Sequence, residues 1–242
     1  MSANHAAFNL IFRFVENYIS PIAGRISSQR HVMAIRDGFI SAMPFMIVGS
    51  FLLVFAYPPF SPDTTWGFAR AWLDLAKEFE GRILTPFDMT MGIMSIYICA
   101  AISYNLGKHY EKSNQLDPFM CAMLSIMAFL LIAAPKTNGT LPVDSLGGTG
   151  IFTAILVAIY CVEMMRFLKA HNIGIRLPDQ VPPMIKNSFD LLIPVLVVVL
   201  TLYPLSLFIQ HHFDMLIPQA IMAIFKPLVS AADSLPAILL AV

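Results

Sequence analysis

The chain has 242 residues, of which 57% are hydrophobic and only 12% are charged, and its formal net charge is zero. Ordinary soluble domains carry about a quarter charged residues, so this composition excludes a typical soluble core and favours a chain that folds in lipid. The 15 basic residues are scattered, and nucleic acid is therefore not expected as a partner.

Residues 1–30 are predicted to form an amphipathic helix at the membrane surface and a cytoplasmic lead-in. Apolar residues recur at helical spacing over 8–22, while Arg13, Glu16 and Asn17 fall on the other side. This pattern is typical of a helix that lies in the interface. A helix packed on its own protein would show the same periodicity, and the sequence leaves both open.

Five charge-free apolar runs follow and predict five membrane-spanning helices. The runs cover residues 38–57, 89–107, 118–135, 146–162 and 191–209. Each would be about 25 to 30 Å long as a helix, close to the thickness of the hydrocarbon core. Pro44, Pro194 and Pro204 lie inside two of the runs, where neighbouring helices can satisfy the freed carbonyl groups.

The connecting segments predict the orientation, because basic residues remain on the cytoplasmic side. If the N-terminus is cytoplasmic, that side carries ten of the 15 basic residues and the other side carries five. The opposite side also holds most of the acids and includes a long loop, 58–88. The sequence therefore predicts a multi-pass protein of the bacterial inner membrane with a cytoplasmic N-terminus.

The chain changes character again after the fifth run. Residues 215–225 form a second surface-type segment, and the last seven residues, from Pro236, are apolar. We expect these to begin a truncated sixth span; a short tail that re-enters the interface is the alternative. The fold class is an all-α integral membrane bundle, divided into 1–30, a five-span scaffold and dimerisation domain over 31–210, and 211–242.

Two polar residues at the start of the second run are candidates for substrate binding. Asp88 and Thr90 precede an apolar segment that contains Gly92 and Ser95, and ionisable groups near a span are default candidates for function. Such a cluster could hydrogen-bond sugar hydroxyls, but Asp88 could equally cap the following helix at the level of the lipid headgroups.

No catalytic motif, metal site or cofactor site is recognised. Nucleotide-binding loops and nucleophile elbows are absent from the sequence, and the three cysteines lie in apolar runs without a Cys-x-x-Cys pair. The glycines of 147–150 would allow a close backbone approach, either between helices or to a ligand. Glu163 is expected to pair with Arg166, three residues further on.

Several of these segments resemble the membrane permease subunit, enzyme IIC, of the lactose, cellobiose and diacetylchitobiose branch of the bacterial phosphotransferase system. Residues 31–39 with Pro44 are similar to the entry to the first span of that family. The proline-rich stretch 177–183, with Phe189 and Pro194, is similar to its loop before the fifth span. The segments 92–95, 117–135 and 147–148 lie between them in the expected order.

This resemblance implies group translocation of a β-linked disaccharide, such as cellobiose or diacetylchitobiose. The sugar would be phosphorylated inside by a phosphocysteine of enzyme IIB, and enzyme IIB would receive its phosphoryl group from enzyme IIA. The chain resembles only the first half of the family, the scaffold that pairs with a second copy, so we expect a homodimer in lipid that is inactive alone. A small membrane assembly protein without transport activity is the alternative.

Overall fold

The computed structural model describes residues 20–135, 139–175, 182 and 189–232, and these fold into an all-helical bundle. The helices, in chain order, are α1 (Ser20–Ser27), α2 (Arg30–Ala56), α3 (Gly67–Asp88), α4 (Met94–Asn114), α5 (Pro118–Ala133), a 3₁₀ turn (Gly148–Gly150), α6 (Ile151–Ala170), α7 (Leu192–Phe213) and α8 (Ile217–Ala232). Most of the predicted surface helix over 8–22, most of the stretch 177–183 and the start of a sixth span lie outside the described residues.

Helix α4 lies at the centre of the bundle and packs against α2, α5 and α6. One side of α4 is fully buried along its length, including Ile98, Cys99, Ile102 and Leu106. A helix that is buried in this way must supply small residues wherever a neighbouring backbone comes close. The contact between α2 and α4 shows this requirement most clearly.

The close approach of α2 to α4 depends on a row of small buried residues. Ala34, Gly38 and Ala42 are buried on this side of α2, and Gly49 continues the row towards Thr90 and Met91, which precede α4. A Cβ atom on Gly38 would lie 2.4 Å from Cγ1 of Ile102 and 2.9 Å from its backbone nitrogen. Only glycine therefore fits at this position while the two helices keep their distance.

Each of the five predicted runs coincides largely with a helix, but not all of these helices meet the length and hydropathy expected of a span. Among the described residues, three helical segments are long and apolar enough to cross a membrane: Arg30–Ala56, Gly148–Ala170 and Leu192–Phe213. Pro118–Ala133 is apolar but has 16 residues, about 24 Å of helix. Helix α4 extends to Asn114 and so includes the charged residues that follow the predicted run.

The prediction of a long loop over 58–88 is wrong, because most of this segment is the 22-residue helix α3. Ala69 and Ala76 are buried at a spacing of two helical turns, and α3 packs against α2. A search for charge-free runs misses such a helix, because its apolar residues alternate with charged ones. Periodicity rather than mean hydropathy reveals it.

The sequence predicted Asp88 at the start of the helix over the second run, and this prediction is wrong. Asp88 is the last residue of α3, while α4 starts six residues later at Met94. The residue before α4 is Ile93, and its side chain makes no capping hydrogen bond. The alternative that Asp88 caps the following helix is therefore wrong as well.

Candidate functional site

The linker between α3 and α4 crosses the segment before α6 at a tight junction. We call Gly92, Ser95, Gly147 and Gly150 the glycine junction. The backbone N–H of Ser95 donates to the carbonyl of Leu146 at 2.9 Å, and its hydroxyl donates to the carbonyl of Gly147. These bonds fix the starts of α4 and α6 to each other.

The glycines of this junction serve close packing of backbone against backbone. A Cβ atom on Gly150 would lie 2.1 Å from the carbonyl oxygen of Ser145, and one on Gly147 would lie 3.0 Å from that of Gly92. A Cβ on Gly148 would instead make an ordinary contact, 3.5 Å from Cε of Met94. Of the two uses that the sequence left open, packing accounts for Gly147 and Gly150.

Asp88 and Thr90 lie beside this junction, but their side chains differ in what they can offer a ligand. Asp88 is exposed. The hydroxyl of Thr90 donates to the carbonyl oxygens of Pro86 at 2.8 Å and Phe87 at 3.1 Å, and it also packs against Gly49 of α2. The Asp88 carboxylate is therefore accessible from outside the protein, whereas the hydroxyl proton of Thr90 already bonds to backbone carbonyl groups.

A second polar cluster lies at the opposite ends of α4 and α6. We call His31, Tyr110, Glu163 and Arg166 the glutamate junction. Nε2 of His31 lies 2.9 Å from Oε1 of Glu163, and the Tyr110 hydroxyl donates to the same oxygen at 2.8 Å. Arg166 donates to Oε2 of Glu163 at 2.7 Å and to the Tyr110 oxygen at 3.0 Å.

The ring of Tyr110 gives the glutamate junction a further set of contacts. The guanidinium carbon of Arg166 lies 4.7 Å from the centre of this ring, and that of Arg30 lies 5.5 Å away. Both distances are within the range of cation–π attraction. Three helix ends, the start of α2 and the ends of α4 and α6, are therefore held by one carboxylate and one aromatic ring.

The sequence predicted only the local part of this cluster. The pairing of Glu163 with Arg166 is confirmed, and it follows from their spacing on one helix. His31 and Tyr110 reach Glu163 from two other helices, and no local pattern in the sequence indicates this. The signal that was available is the occurrence of polar residues just beyond three separate apolar runs.

The start of α7 joins the same end of the bundle. Nζ of Lys169 donates to the carbonyl of Gln115 at 2.6 Å and lies 3.5 Å from Oδ2 of Asp190. A groove of about 610 Å³ opens here between the ends of α4 and α6 and the start of α7. Within the described part of the chain, no group of three or more His, Cys, Asp or Glu side chains could hold a metal ion.

Long apolar helices with polar junctions at their ends define a helical integral membrane protein. The family model described as "Phosphotransferase system, EIIC" matches residues 36–242. The chain therefore belongs to the EIIC family of the phosphotransferase system, and the resemblance found in the sequence is confirmed.

Relatives with curated descriptions and one solved structure agree with this membership. The chain is 35% identical over 206 residues to the cellobiose-specific EIIC component of Geobacillus stearothermophilus, covering 77% of this chain and 43% of that protein. It is 33% identical over 219 residues to the lactose-specific EIICB component of Streptococcus mutans, covering 88% of this chain and 37% of that protein.

The solved structure is that of ChbC, the IIC component of an N,N'-diacetylchitobiose-specific phosphotransferase system. It matches this chain with a TM-score of 0.75 and 31% sequence identity, covering 91% of this chain and 52% of that protein. The chain therefore spans less than half the length of the two curated relatives and about half the length of ChbC.

Proposed function

We propose that this chain is the scaffold half of a permease that carries a β-linked disaccharide, such as cellobiose or diacetylchitobiose, across the bacterial inner membrane. The observation that supports this most directly is the likeness to ChbC over 91% of the chain. The sugar would be phosphorylated inside by the phosphocysteine of enzyme IIB, which is recharged by enzyme IIA. The chain itself contributes no recognised catalytic residue.

The scaffold proposal is tested by sugar binding. Proteoliposomes that contain the 242-residue chain alone should not retain labelled cellobiose or diacetylchitobiose, whereas the same chain joined to the sugar-binding half of a relative should retain at least one of them. Binding or accumulation by the chain alone would overturn the proposal that it is only a scaffold.

The alternative is a small membrane assembly protein without transport activity. The two readings differ in the DNA that follows the codon for Val242. An open frame that encodes a second membrane half, next to genes for IIB-like and IIA-like proteins, supports the permease. A stop codon at this point and no such neighbours support the assembly protein.

We further propose that the chain crosses the membrane five times with its N-terminus in the cytoplasm. The supporting observation is that His31, Tyr110, Glu163 and Lys169, near the ends expected on the cytoplasmic side, gather at one end of the bundle. The start of α2 lies beside the ends of α4 and α6, and the start of α7 lies beside the end of α6, which agrees with helices that alternate in direction.

Cysteine labelling tests the orientation with a matched pair of variants. Ser28 and Ser61 are both exposed. Ser28 lies just before α2 and Ser61 just after it, so the proposed topology places them on opposite sides of the membrane. The natural cysteines are buried. In intact spheroplasts, a membrane-impermeant maleimide should label Ser61→Cys and should label Ser28→Cys only after permeabilisation. The reverse pattern would show that the N-terminus is outside.

We also propose that Asp88 lies on the path by which the sugar approaches from outside the cell. Separately, we propose that the scaffold forms a homodimer. Chemical cross-linking in native membranes, compared at low and high expression, tests the dimer. A constant monomer fraction at all cross-linker concentrations would contradict it.

A further inference from the structure

Five aromatic rings meet where α2 ends and α3 begins. We call Phe55, Phe60, Trp66, Phe68 and Trp72 the aromatic cluster. Phe60 lies edge-on to both Trp66 and Trp72, at centroid distances of 5.8 and 5.7 Å. Phe68 contacts both tryptophans at 5.5 and 5.9 Å. The indole N–H of Trp72 donates to the carbonyl of Phe55 at 3.2 Å, which ties α3 to the last turn of α2.

The cluster is organised but not covered by the rest of the chain. Trp66 is 60% exposed, Phe68 is 61% exposed and Phe55 is 55% exposed. Contiguous large apolar side chains of this kind are rarely left in water by soluble proteins. Something other than water must therefore contact this surface.

Helix α3 presents three different sides around its circumference. Ala69 and Ala76 are buried, Phe68 and Leu75 form an exposed apolar stripe adjacent to that buried side, and the charged residues Arg70, Asp74, Lys77 and Glu78 are exposed on the remaining side. A helix with one packed side, one apolar side and one charged side is suited to the boundary between lipid and water.

The apolar surface of α3 continues that of the span beside it. Helix α2 is 27 residues long and apolar enough to cross the membrane, and Phe51 and Phe55 in its last two turns are exposed. The aromatic cluster therefore begins at the depth where a spanning helix leaves the hydrocarbon. Tryptophan is enriched at this depth because its ring is apolar while its N–H is polar.

The positions of the charged residues on α3 are those expected of a helix in contact with lipid headgroups. The guanidinium carbon of Arg82 lies 5.6 Å from the ring centre of Phe79, so this cation is held next to the apolar side of the helix. A cation in this position can reach lipid phosphate while its stem covers apolar surface. Tyr57 donates to the carboxylate of Glu80 at 2.9 Å, which places further polar groups at the same level.

We propose that α3 lies along the membrane surface at the end of α2 and that the aromatic cluster is embedded where lipid headgroups meet acyl chains. The occupant of the exposed apolar surface is therefore lipid, not a second copy of the chain or another protein. In this arrangement α3 fixes the depth of the first span. The proposal does not depend on which sugar the permease carries.

The chain contains only two tryptophans, Trp66 and Trp72, and both belong to the aromatic cluster, so its tryptophan emission, excited selectively over that of tyrosine, reports on this surface alone. The experiment uses the 242-residue chain in phosphatidylcholine vesicles that contain lipids brominated close to the headgroup, midway along the acyl chain or near its end. Aqueous iodide serves as the opposite probe. Trp66→Phe and Trp72→Phe assign the signal to each residue.

We expect the strongest quenching of Trp66 from the bromines closest to the headgroup, together with weak quenching by iodide. Strongest quenching from the deepest bromines would overturn the proposal, because α3 would then lie within the hydrocarbon. Strong iodide quenching without bromine quenching would also overturn it, since the cluster would be in water. Weak quenching by both probes would overturn it in favour of a protein neighbour.

A pair of variants tests whether the exposed stripe causes this placement. Phe68→Glu with Leu75→Glu should abolish most of the bromine quenching of Trp66 and shift its emission to longer wavelength. Asp74→Ala with Glu78→Ala, on the charged side of the same helix, should leave both signals unchanged. Circular dichroism checks that each variant keeps its helix content; equal quenching in the two variants would contradict the proposal.

Discussion

Nε2 of His31 lies 2.9 Å from Oε1 of Glu163, although 132 residues separate them in the chain. This contact joins the start of α2 to the end of α6. Glu163 also accepts a hydrogen bond from the hydroxyl of Tyr110 on α4, so a single carboxylate connects three helices. Helix packing brings these residues together, and their arrangement suits a scaffold whose helices must keep their relative positions.

Glu163→Gln should lower the stability of the bundle. The substitution keeps the size of the side chain but removes the charge that accepts hydrogen bonds from Tyr110 and Arg166. Because the Glu163 side chain is 32% exposed, we expect a loss of about 1 to 2 kcal/mol in the free energy of unfolding. Titration with SDS, followed by circular dichroism, measures it.

Glu111→Gln is the matched control for this prediction. Glu111 is an exposed glutamate in the last turn of α4, one residue after Tyr110, and its replacement should change the unfolding free energy by less than about 0.5 kcal/mol. If both variants unfold at the same SDS fraction as the unmodified chain, the glutamate junction does not stabilise the fold.

Gly150→Ala should disrupt the glycine junction. The new methyl group would meet the carbonyl oxygen of Ser145 at 2.1 Å, and backbone cannot move aside as a flexible side chain can. We expect a cost of about 1 to 3 kcal/mol, together with a lower yield of monodisperse protein in detergent. Gly148→Ala, whose methyl group has room, should behave like the unmodified chain; similar losses in both variants would contradict this account.

Two glycines within helices should respond to alanine with opposite signs. In Gly38→Ala the methyl group would overlap Ile102 of α4, so the bundle should be destabilised. In Gly81→Ala the methyl group meets nothing within 4 Å, and α3 should gain up to about 1 kcal/mol from the better helix propensity of alanine. Thermal unfolding in detergent measures both; a stabilised Gly38→Ala would show that α2 and α4 can separate easily.

The sequence predicted the helices that depend on hydropathy and missed the one that depends on periodicity. Apolar runs such as 146–162 are local properties, so the helix over this run could be located without knowledge of its neighbours. Helix α3 has seven charged residues among its 22, and its apolar side becomes visible only when the residues are placed on a helix. The prediction of a loop over 58–88 was wrong for this reason.

The same distinction applies to the candidate site. The partnership of Glu163 with Arg166 follows from positions on one helix, whereas His31 and Tyr110 depend on how three helices pack. The position of Asp88 at the end of α3 was missed as well, because it follows from a helix that hydropathy did not reveal. The contacts of His31 and Tyr110 with Glu163 therefore depend on non-local packing, whereas the position of Asp88 depends on a helix whose signal is local periodicity.

Asp88 and Thr90 should differ in their effect on sugar binding. Asp88 is exposed, while the Thr90 hydroxyl already donates to the backbone of α3. In a sugar-binding protein that contains this chain, Asp88→Ala should weaken binding of a labelled disaccharide about tenfold, the effect of losing one hydrogen bond to a charged group. Thr90→Val should leave the dissociation constant unchanged, because this hydroxyl mainly completes the turn into the glycine junction.

Equilibrium dialysis measures both constants. An unchanged dissociation constant in Asp88→Ala would remove this residue from the sugar path, and a tenfold loss in Thr90→Val with normal stability would show that the Thr90 oxygen contacts the sugar instead.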